Sequence, residues 1–499
     1  MHNGTLLAAV DLGSNSFRLE MGRFDHGRIH RTEYHKETVR QGNGLDADRN
    51  LTLDAMQRGW DCLARFGERL AGFKKAQVRA VATQTLREAR NRDEFLGRAH
   101  KILGFPIDVI SGREEARLIY QGVAHLLPQS DERRLVVDIG GRSTEMILGT
   151  GLAPLTMESY RVGSVAWSMK YFPDGQFTPR AFETAQIAAK AVLDEAVNAY
   201  RASAWDVAYG SSGTIGAVSD VLTAVGWPQG HVTRDGLDWL LERLLKAQSA
   251  DRLKLDGMKD DRRAVIGGGV SVLMAVFALL DIKEMQAAQG ALRHGVLYDL
   301  LDREQDTTDL RSTTVQRIAT KFGSDAAQGT RISRVSQHLF RMATHGQPVA
   351  EFARFQRKLD WAAQLHEIGS QISHSDYHKH GAYILENIDA PGFANPELHR
   401  LSLLVLGHRG KLRKLDVDFE DRVFVQQLLC LRLAVILCHA RRDPDLAGIE
   451  LQASGEAARQ FVLRCPNGWA ARFPQSAWLL HEEVVAWQKT PWAFKVNAP

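Results

Sequence analysis

Two short stretches of the sequence share a pattern suited to holding phosphate. "LAAVDLGSNSFRLEMG" near the start and "RLVVDIGGRSTEMILG" at residues 134–149 each predict a buried strand, an acid, a glycine-led turn and a second strand. In such a turn, backbone N–H groups converge on an anion, hydroxyl groups add donors, and the acid can bind a divalent metal that bridges phosphate oxygens. Aligning Asp11 with Asp138 pairs Gly13 with Gly140, Ser14 with Gly141, Asn15 with Arg142 and Ser16 with Ser143. Each turn alone could be a tight hairpin, but the recurrence favours a two-loop phosphate site.

A carboxylate at the start of a predicted helix could supply a base. In "DVISGREEARLIY", Ser111 and Glu114 have the spacing of a capping box, which accounts for Glu114. Glu115 has no such partner, and a carboxylate of this kind beside a cleft can orient and deprotonate a water, as phosphoanhydride hydrolysis requires. The alternative is that Glu115 only interacts favourably with the helix dipole.

Two further stretches could bind anions. Arg87, in "ATQTLREARN", follows a predicted strand and could hold a phosphate bidentately, or it could be an ordinary helix-surface cation. "AYGSSGTIGAVSD" contains a third Gly/Ser loop between a strand and a helix, at Gly210 to Thr214.

The elements that must position these residues fall into two similar α/β plans. Residues 1 to about 125 alternate predicted strands and helices, and the plan restarts at Leu135 with strand, turn and strand. Two lobes that open alike indicate a duplication with a cleft between them.

The rest of the chain has a different character. The polar stretch "LDREQDTTDLRSTT" marks a boundary near residue 305, beyond which an amphipathic 3.6-residue period persists to about residue 443. Pro444 then introduces a small tail with strand-like runs and a final helix. The predicted domains are 1–127, 128–305, 306–443 and 444–499.

A histidine-rich stretch in the helical region invites a metal interpretation. "LHEIGSQISHSDYHKHGAYIL" contains His366, Glu367, His374, His378 and His380, but helical spacing brings only some of them together. We therefore expect these histidines to be structural or to face a polyanion, without a bound metal.

Composition limits the remaining possibilities. A net charge of +4 over 499 residues does not indicate a nucleic-acid binder. The four cysteines form no CxxC pair and are expected to be reduced core residues. The longest apolar run, "VSVLMAVFALL", is too short to span a bilayer and predicts a core helix. With no visible targeting segment, a cytoplasmic location is expected.

These motifs resemble, in order and spacing, the exopolyphosphatase and guanosine pentaphosphate phosphohydrolase (Ppx/GppA) family. The resemblance rests on "VDLGSNSFRL", "ATQTLREA", "ISGREEARLIYQGV", "VVDIGGRSTEMILG", "YGSSGT" and "ALRHGVLYDL", and the histidine-rich stretch is similar to the family's HD-like third domain. It implies duplicated α/β lobes of the actin, Hsp70 and sugar-kinase type (ribonuclease H-like), an all-α HD-like domain and a small C-terminal α+β domain. It also implies a homodimer with a basic channel for long chains.

The activity implied by the resemblance is Mg²⁺-dependent hydrolysis of the terminal phosphate of inorganic polyphosphate, or of the 5′ γ-phosphate of pppGpp. Carried over by matching motif, Glu115 would be the general base, and Asp138 and Glu145 would hold or position the metal. The phosphates would be surrounded by Asp11, Gly13, Ser14, Asn15, Arg87, Gly140, Gly141, Ser143, Thr144, Ser212, Gly213 and Thr214.

One residue departs from the family pattern, and two other functions stay open. Arg142 stands where the family typically has glycine, and we expect its side chain to point to solvent rather than along the substrate path. An ATP-dependent kinase of the same superfamily or a non-catalytic phosphate sensor could use similar loops.

Overall fold

The computed structural model describes residues 2–303, 309–344, 349–454 and 459–497. The chain divides into two compact units, residues 1–309 and 310–499. The boundary predicted near residue 305 falls within residues 304–308, outside the described residues, and the four domain limits stay predictions. No helix in the described ranges is both long enough and apolar enough to cross a membrane.

The first unit begins with a five-stranded sheet in the order β3-β2-β1-β4-β5. The central strand β1 is apolar on both faces and buried, whereas β3 at the edge is polar and exposed. The strands are β1 (Leu6–Leu12), β2 (Phe17–Asp25), β3 (Arg28–Glu37), β4 (Val78–Ala82) and β5 (Ile107–Val109).

A second sheet in the same unit repeats this plan. Its order is β10-β11-β9-β6-β7-β8, and β6 pairs antiparallel with β7 and parallel with β9, as β1 does with β2 and β4. Its strands are β6 (Arg133–Ile139), β7 (Thr144–Thr150), β8 (Ala153–Tyr160), β9 (Val207–Ser211), β10 (His231–Thr233) and β11 (Glu284–Ala287). The duplication of α/β lobes predicted from the sequence is therefore confirmed; we call the lobe of the first sheet lobe I and that of the second lobe II.

Helices pack on these sheets and between them. They are α1 (Leu53–Arg69), α2 (Gln84–Glu88), α3 (Arg92–Leu103), α4 (Gly112–Ala124), α5 (Ser164–Tyr171), α6 (Pro179–Leu193), α7 (Ala196–Ala199), α8 (Ser212–Ala224), α9 (Arg234–Ala247), α10 (Asp260–Arg263), α11 (Ile266–Leu279) and α12 (Leu292–Arg303). The predicted core helix from Val270 is confirmed as the buried part of α11.

Helices α4 and α12 meet backbone to backbone between the two sheets. A Cβ on Gly295 of α12 would lie 1.8 Å from the carbonyl oxygen of Leu118 in α4, so only glycine permits this approach. Both helices contribute to a core that also contains Val81 of lobe I and Val136 of lobe II. The contact fixes α4, and with it Glu115, against both lobes.

The second unit is helical and carries a small sheet. Its helices are α13 (Leu310–Lys321), α14 (Ala326–Ala343), α15 (Val349–Leu365), α16 (Tyr377–Asn387), α17 (Asn395–Gly407), α18 (Arg422–Leu437), α19 (Trp469–Arg472) and α20 (Pro474–Trp487). The sheet, ordered β12-β13-β14, contains β12 (Glu450–Ser454), β13 (Gln460–Arg464) and β14 (Ala493–Asn497). One continuous core runs from Val315 to Phe494. The predicted all-α region with a small α+β tail is confirmed.

The four cysteines are buried and free, as expected for reduced core residues. They are Cys62, Cys430, Cys438 and Cys465.

Candidate functional site

A cleft of about 480 Å³ is lined by residues of both lobes of the first unit. Eleven of the residues predicted from the sequence line it: Asp11, Gly13, Ser14, Asn15, Glu115, Asp138, Gly140, Gly141, Ser143, Ser212 and Gly213. The other four, Arg87, Thr144, Glu145 and Thr214, do not line it. The structure thus brings most of the candidate residues to one cavity, and their individual roles stay predictions.

The first loop joins β1 to β2, and other residues of lobe I hold it in place by hydrogen bonds. Thr85 Oγ1 donates to Ser14 Oγ over 2.8 Å, and the backbone N–H of Gly42 donates to Ser14 O over 2.7 Å. These bonds anchor the first loop to Thr85 and to the Gly42 segment of lobe I.

The second loop joins β6 to β7 and lies directly against the first. A Cβ on Gly141 would be 3.0 Å from the Cβ of Ser14, so a larger residue here would push the loops apart. Thr144, at the end of this loop, is buried, and its hydroxyl donates to Val162 O over 2.6 Å. Thr144 therefore anchors β7, and its hydroxyl is turned away from the cleft.

The third loop begins α8 in a strained conformation. Ser212 has a φ of 87°, which costs a non-glycine residue about 1–3 kcal/mol. Its hydroxyl donates to Ile139 O over 2.8 Å, and Thr214 Oγ1 donates to the same oxygen over 3.2 Å. These bonds fasten the third loop to the end of β6, beside the second loop.

Glu115 lies in the first turn of α4, and Arg87 holds its carboxylate. Arg87 NH1 donates to Glu115 Oε2 over 2.7 Å and to Ile110 O over 2.9 Å. Burial raises the pKa of Glu115 above its ordinary value; Arg87 opposes the shift and the Asp11 charge adds to it. Arg87 therefore orients this candidate base.

The neighbouring Glu114 has a different environment. Its backbone N–H donates to Ser111 Oγ over 3.1 Å, as capping predicts, but its carboxylate is buried and accepts two bonds from Arg117. The two adjacent glutamates thus point to different regions, one to a buried ion cluster and the other to the cleft.

The duplicated hairpins place opposite charges at one equivalent position. Asp11 pairs across the first hairpin with Arg18, whose NH1 donates to Asp11 Oδ2 over 2.9 Å. Asp138 pairs across the second with Glu145, another acid. Consequently the acid of the first loop is neutralised by its partner, whereas that of the second loop faces a like charge.

The acids of the second loop have raised pKa values and an unsatisfied carboxylate oxygen. Burial raises the pKa of Asp138 to about 6, and burial together with Glu115 and Asp138 raises that of Glu145 well above its ordinary value. Glu145 Oε1 accepts from Ser159 Oγ over 2.7 Å, while its buried Oε2 has no hydrogen-bond partner. A buried carboxylate oxygen without a donor beside two other acids fits a bound divalent cation.

The number of available ligands limits which cation fits. Among the described residues, no group of three or more His, Cys, Asp or Glu side chains is positioned to hold a metal ion. Asp138 and Glu145 alone would not complete the shell of a cation, which would need water and phosphate oxygens as further ligands.

Sequence reasoning missed a group of cations in the cleft. Arg18, Lys36 and Arg262 line it. Burial lowers the pKa of Lys36, the charges of Arg262 and Arg18 lower it further, and the bond to Asp261 opposes this shift. A Cβ on Gly213 would lie 2.0 Å from Arg262 NH2, so the glycine of the third loop makes room for this guanidinium. Mutually repelling cations around one cavity favour an anionic ligand with several charges.

A signal for one of these cations was present in the sequence. Arg18 is seven residues after Asp11, and a four-residue turn places it directly opposite that acid. Lys36 and Arg262 come from distant segments, so nothing local pointed to them.

The expectation that Arg142 points to solvent is wrong. Its guanidinium crosses to lobe I, where Nε donates to Glu88 Oε2 over 3.0 Å and NH1 donates to Gly42 O over 3.1 Å. The side chain turns to lobe I because Glu88 there offers a charge-assisted hydrogen bond, which solvent exposure would give up.

In the second unit, a cavity of about 510 Å³ is lined by His366 and His408, among others. Both rings are buried, and their Nδ1–H groups donate to Ala363 O and Val405 O over 2.7 and 2.6 Å. This bond is consistent with the structural role expected of His366. The expectation that the histidine-rich region binds no metal stays a prediction.

Comparison with protein families matches almost the whole chain. The model described as the Ppx/GppA phosphatase family matches residues 23–304, and that described as Ppx/GppA phosphatase, domain III, matches residues 310–484. The two matches meet near the boundary between the two compact units.

Solved structures give the same fold. An exopolyphosphatase-like protein is 24% identical, with a TM-score of 0.54 over 59% of this chain and 97% of its own. An exopolyphosphatase from Cytophaga hutchinsonii is 24% identical, with a TM-score of 0.53 over 60% of this chain and 98% of its own. The Aquifex aeolicus member of the Ppx/GppA family is 23% identical, with a TM-score of 0.51 over 60% of this chain and 99% of its own.

Proposed function

Because the chain belongs to the Ppx/GppA phosphatase family, we propose that it is an exopolyphosphatase that removes the terminal phosphate of inorganic polyphosphate. The observation that carries the proposal is the cleft itself, in which Glu115 and three Gly/Ser loops face a group of cations. A phosphatase with this cleft needs a polyanionic substrate, and polyphosphate supplies one charge after another along a chain.

Glu115 is the proposed general base. Its elevated pKa makes the carboxylate a better proton acceptor near neutral pH, and the bond from Arg87 to Oε2 leaves Oε1 to take the proton of a water. The water oxygen then forms a bond to the terminal phosphorus as the bridging P–O bond breaks, and the shortened chain leaves as an anion.

Mg²⁺ is the proposed cofactor, held by Asp138 and Glu145. When bound, it would neutralise charge on the phosphate oxygens. The chain's own residues do the rest: the loop residues Gly13, Ser14 and Gly141 position the terminal phosphate, and the guanidinium of Arg18 balances the charge of Asp11.

The cations beyond the loops favour polyphosphate over pppGpp. Lys36, Arg262 and Arg293 line the same cleft and can bind phosphates that follow the terminal one. Among the described residues that line this cavity, Tyr34 is the aromatic one, and the guanidinium groups of Arg31 and Arg293 lie 5.8 and 4.9 Å from its ring centroid. This contact leaves less of the ring for stacking a guanine base.

Substitution of the base tests the reaction. Glu115→Gln keeps the size of the side chain but removes the proton acceptor, so kcat should fall about 100- to 10,000-fold, while polyphosphate binding, measured by calorimetry, stays close to wild type. Glu158→Gln, which alters an exposed carboxylate paired with Arg113, is the matched control and should keep full turnover. Wild-type kcat in Glu115→Gln would remove Glu115 from this role.

The substrate is tested by competition. Polyphosphate and pppGpp are offered together, and the ratio of their kcat/KM values is measured from the phosphate and ppGpp released. A ratio that favours pppGpp would assign the chain to guanosine pentaphosphate hydrolysis. Transfer of phosphate from ATP to an acceptor, with no release from polyphosphate, would assign it to a kinase, and binding without any turnover to a sensor.

A further inference from the structure

Arg142, in the second loop, makes an ion pair with lobe I. Its Nε and NH2 lie 3.0 and 2.9 Å from Glu88 Oε2, and the two side chains are only 20% and 15% exposed. A charge-assisted pair this far removed from water is stronger than an ordinary surface pair.

On one side, the pair reaches the first loop. Arg142 NH1 donates to Gly42 O over 3.1 Å, and the N–H of the same Gly42 donates to Ser14 O over 2.7 Å. A Cβ on Gly42 would be 3.2 Å from Arg142 Cδ and 3.1 Å from Ser14 Cβ, so the segment is packed between the two loops. Arg142 therefore bridges the second loop to the segment that supports the first.

On the other side, the pair reaches the proposed base. Glu88 Oε1 accepts from Gln84 Nε2 over 2.7 Å, and Gln84 Oε1 accepts from Arg87 Nε and NH2 over 3.0 and 2.6 Å. Arg87 in turn donates to Glu115. An unbroken series of hydrogen bonds thus runs from the second loop to the carboxylate of Glu115.

We propose that Arg142 and Glu88 are positioning residues that lock the two lobes together and set the second phosphate loop against Glu115. This inference rests on the proposed function, since it concerns the geometry of the same reaction. Phosphoryl transfer depends on placing base, water and phosphate within a few tenths of an ångström, and a misplacement of 1 Å costs about 100-fold in rate. A glycine at position 142 would have no side chain to make this connection.

The kinetic test removes each partner and then exchanges them. Arg142→Ala and Glu88→Ala should each lower kcat about 10-fold with a smaller change in KM, because positioning acts in the transition state. The double variant should be little worse than either single one. The exchange Arg142→Glu with Glu88→Arg should recover part of the loss. Arg133→Ala, which breaks an exposed pair with Asp206 inside lobe II, is the matched control.

A second measurement does not depend on turnover. In Arg142→Ala, amide hydrogen exchange should become faster at residues 13–16 and 41–44. These two segments are joined by the hydrogen bond from Gly42 N–H to Ser14 O, which the guanidinium of Arg142 supports. Unchanged exchange at both segments, or unchanged kcat in both single variants, would overturn the proposal. If the wild type does not hydrolyse polyphosphate, the proposed function fails, and the exchange measurement still decides whether the ion pair holds the loops.

Discussion

Replacing Glu145 by glutamine should stabilise the protein without Mg²⁺ and remove the stabilisation that Mg²⁺ provides. Glu145 is fully buried, and its Oε2 has no hydrogen-bond partner. Burial, together with the charges of Glu115 and Asp138, raises its pKa. Without a cation, ionising this group is unfavourable, and Glu145→Gln removes that cost. With a cation, the same group becomes a ligand, and its removal weakens binding.

The size of both effects follows from these contacts. An unsatisfied buried polar group costs about 1–3 kcal/mol, and more when charged. For a unit of 309 residues, 1 kcal/mol shifts Tm by about 1.5 °C, so Tm in EDTA should rise by about 1.5–5 °C. Saturating Mg²⁺, at about 100 times Kd, stabilises by about 2.7 kcal/mol, so wild-type Tm should rise by about 4 °C and the variant's far less.

The pH dependence of stability is a second test of whether Glu145→Gln stabilises the protein in EDTA. A raised carboxyl pKa means that the native state holds its proton more tightly than the unfolded state. The cost of ionisation is therefore complete above the native pKa and disappears as pH falls towards the ordinary value near 4.5. The advantage of Glu145→Gln in EDTA should be largest at alkaline pH and shrink on acidification.

The assay is thermal unfolding followed by fluorescence, with EDTA or MgCl₂, from pH 5 to pH 8.5. Glu158→Gln, at an exposed carboxylate, controls for the loss of one charge. An equal Mg²⁺-induced rise in Tm for wild type and Glu145→Gln would refute the assignment of Glu145 to the metal. A variant that is less stable than wild type in EDTA would refute the argument that its carboxylate is unsatisfied.

Three other changes are predicted. Arg262→Ala should raise KM for polyphosphate about 10-fold in steady-state kinetics, since one charged hydrogen bond is worth about 1.5–3 kcal/mol. Its Tm should not fall, because burial lowers the pKa of this guanidinium and so disfavours its charged form. An unchanged KM would place Arg262 outside the substrate path. Gly295→Ala should lower the urea midpoint by an amount equivalent to about 3 kcal/mol, because its Cβ would lie 1.8 Å from Leu118 O; wild-type stability would mean that α4 and α12 can separate freely. Burial lowers the pKa of His408 well below its ordinary value, so its neutral form contributes stability above pH 6.5 that is lost as pH falls towards the native pKa. In His408→Asn, Tm should therefore change less between pH 6.5 and 5 than in the wild type. An unchanged slope of Tm against pH would assign the acid sensitivity to other groups.

Local patterns predicted the backbone of the site well. The strand–turn–strand pattern around Asp11 and Asp138 encodes its own hairpin, and the period of 3.6 residues after Ser111 encodes α4, so neither needs knowledge of distant contacts. The same reasoning placed Glu115 in the first turn of α4, while its role as the base came from the family resemblance and stays a prediction.

Contacts between distant segments could not be predicted in this way. Lys36 and Arg262 reach the cleft from a sheet edge and a four-residue helix. Arg142 was expected to face solvent because its partner, Glu88, is 54 residues away and on the other lobe. Which charge meets which across a cleft depends on how two lobes pack, and no periodicity records that.

The two hairpins show how a duplicated element acquires two charge environments. Their backbones pair in the same register, yet the residue seven positions after the acid is Arg18 in one and Glu145 in the other. In the first, the guanidinium neutralises Asp11, and the backbone and hydroxyl groups of the loop are left for the phosphate contacts proposed above. In the second, two acids face each other, and burial raises the pKa of both, so that either a proton or an added cation balances their charge. Exchanging the charges, as in Arg18→Glu with Glu145→Arg, should therefore move the metal preference from the second loop to the first, and a Mg²⁺-dependent Tm that survives Glu145→Arg alone would refute this division.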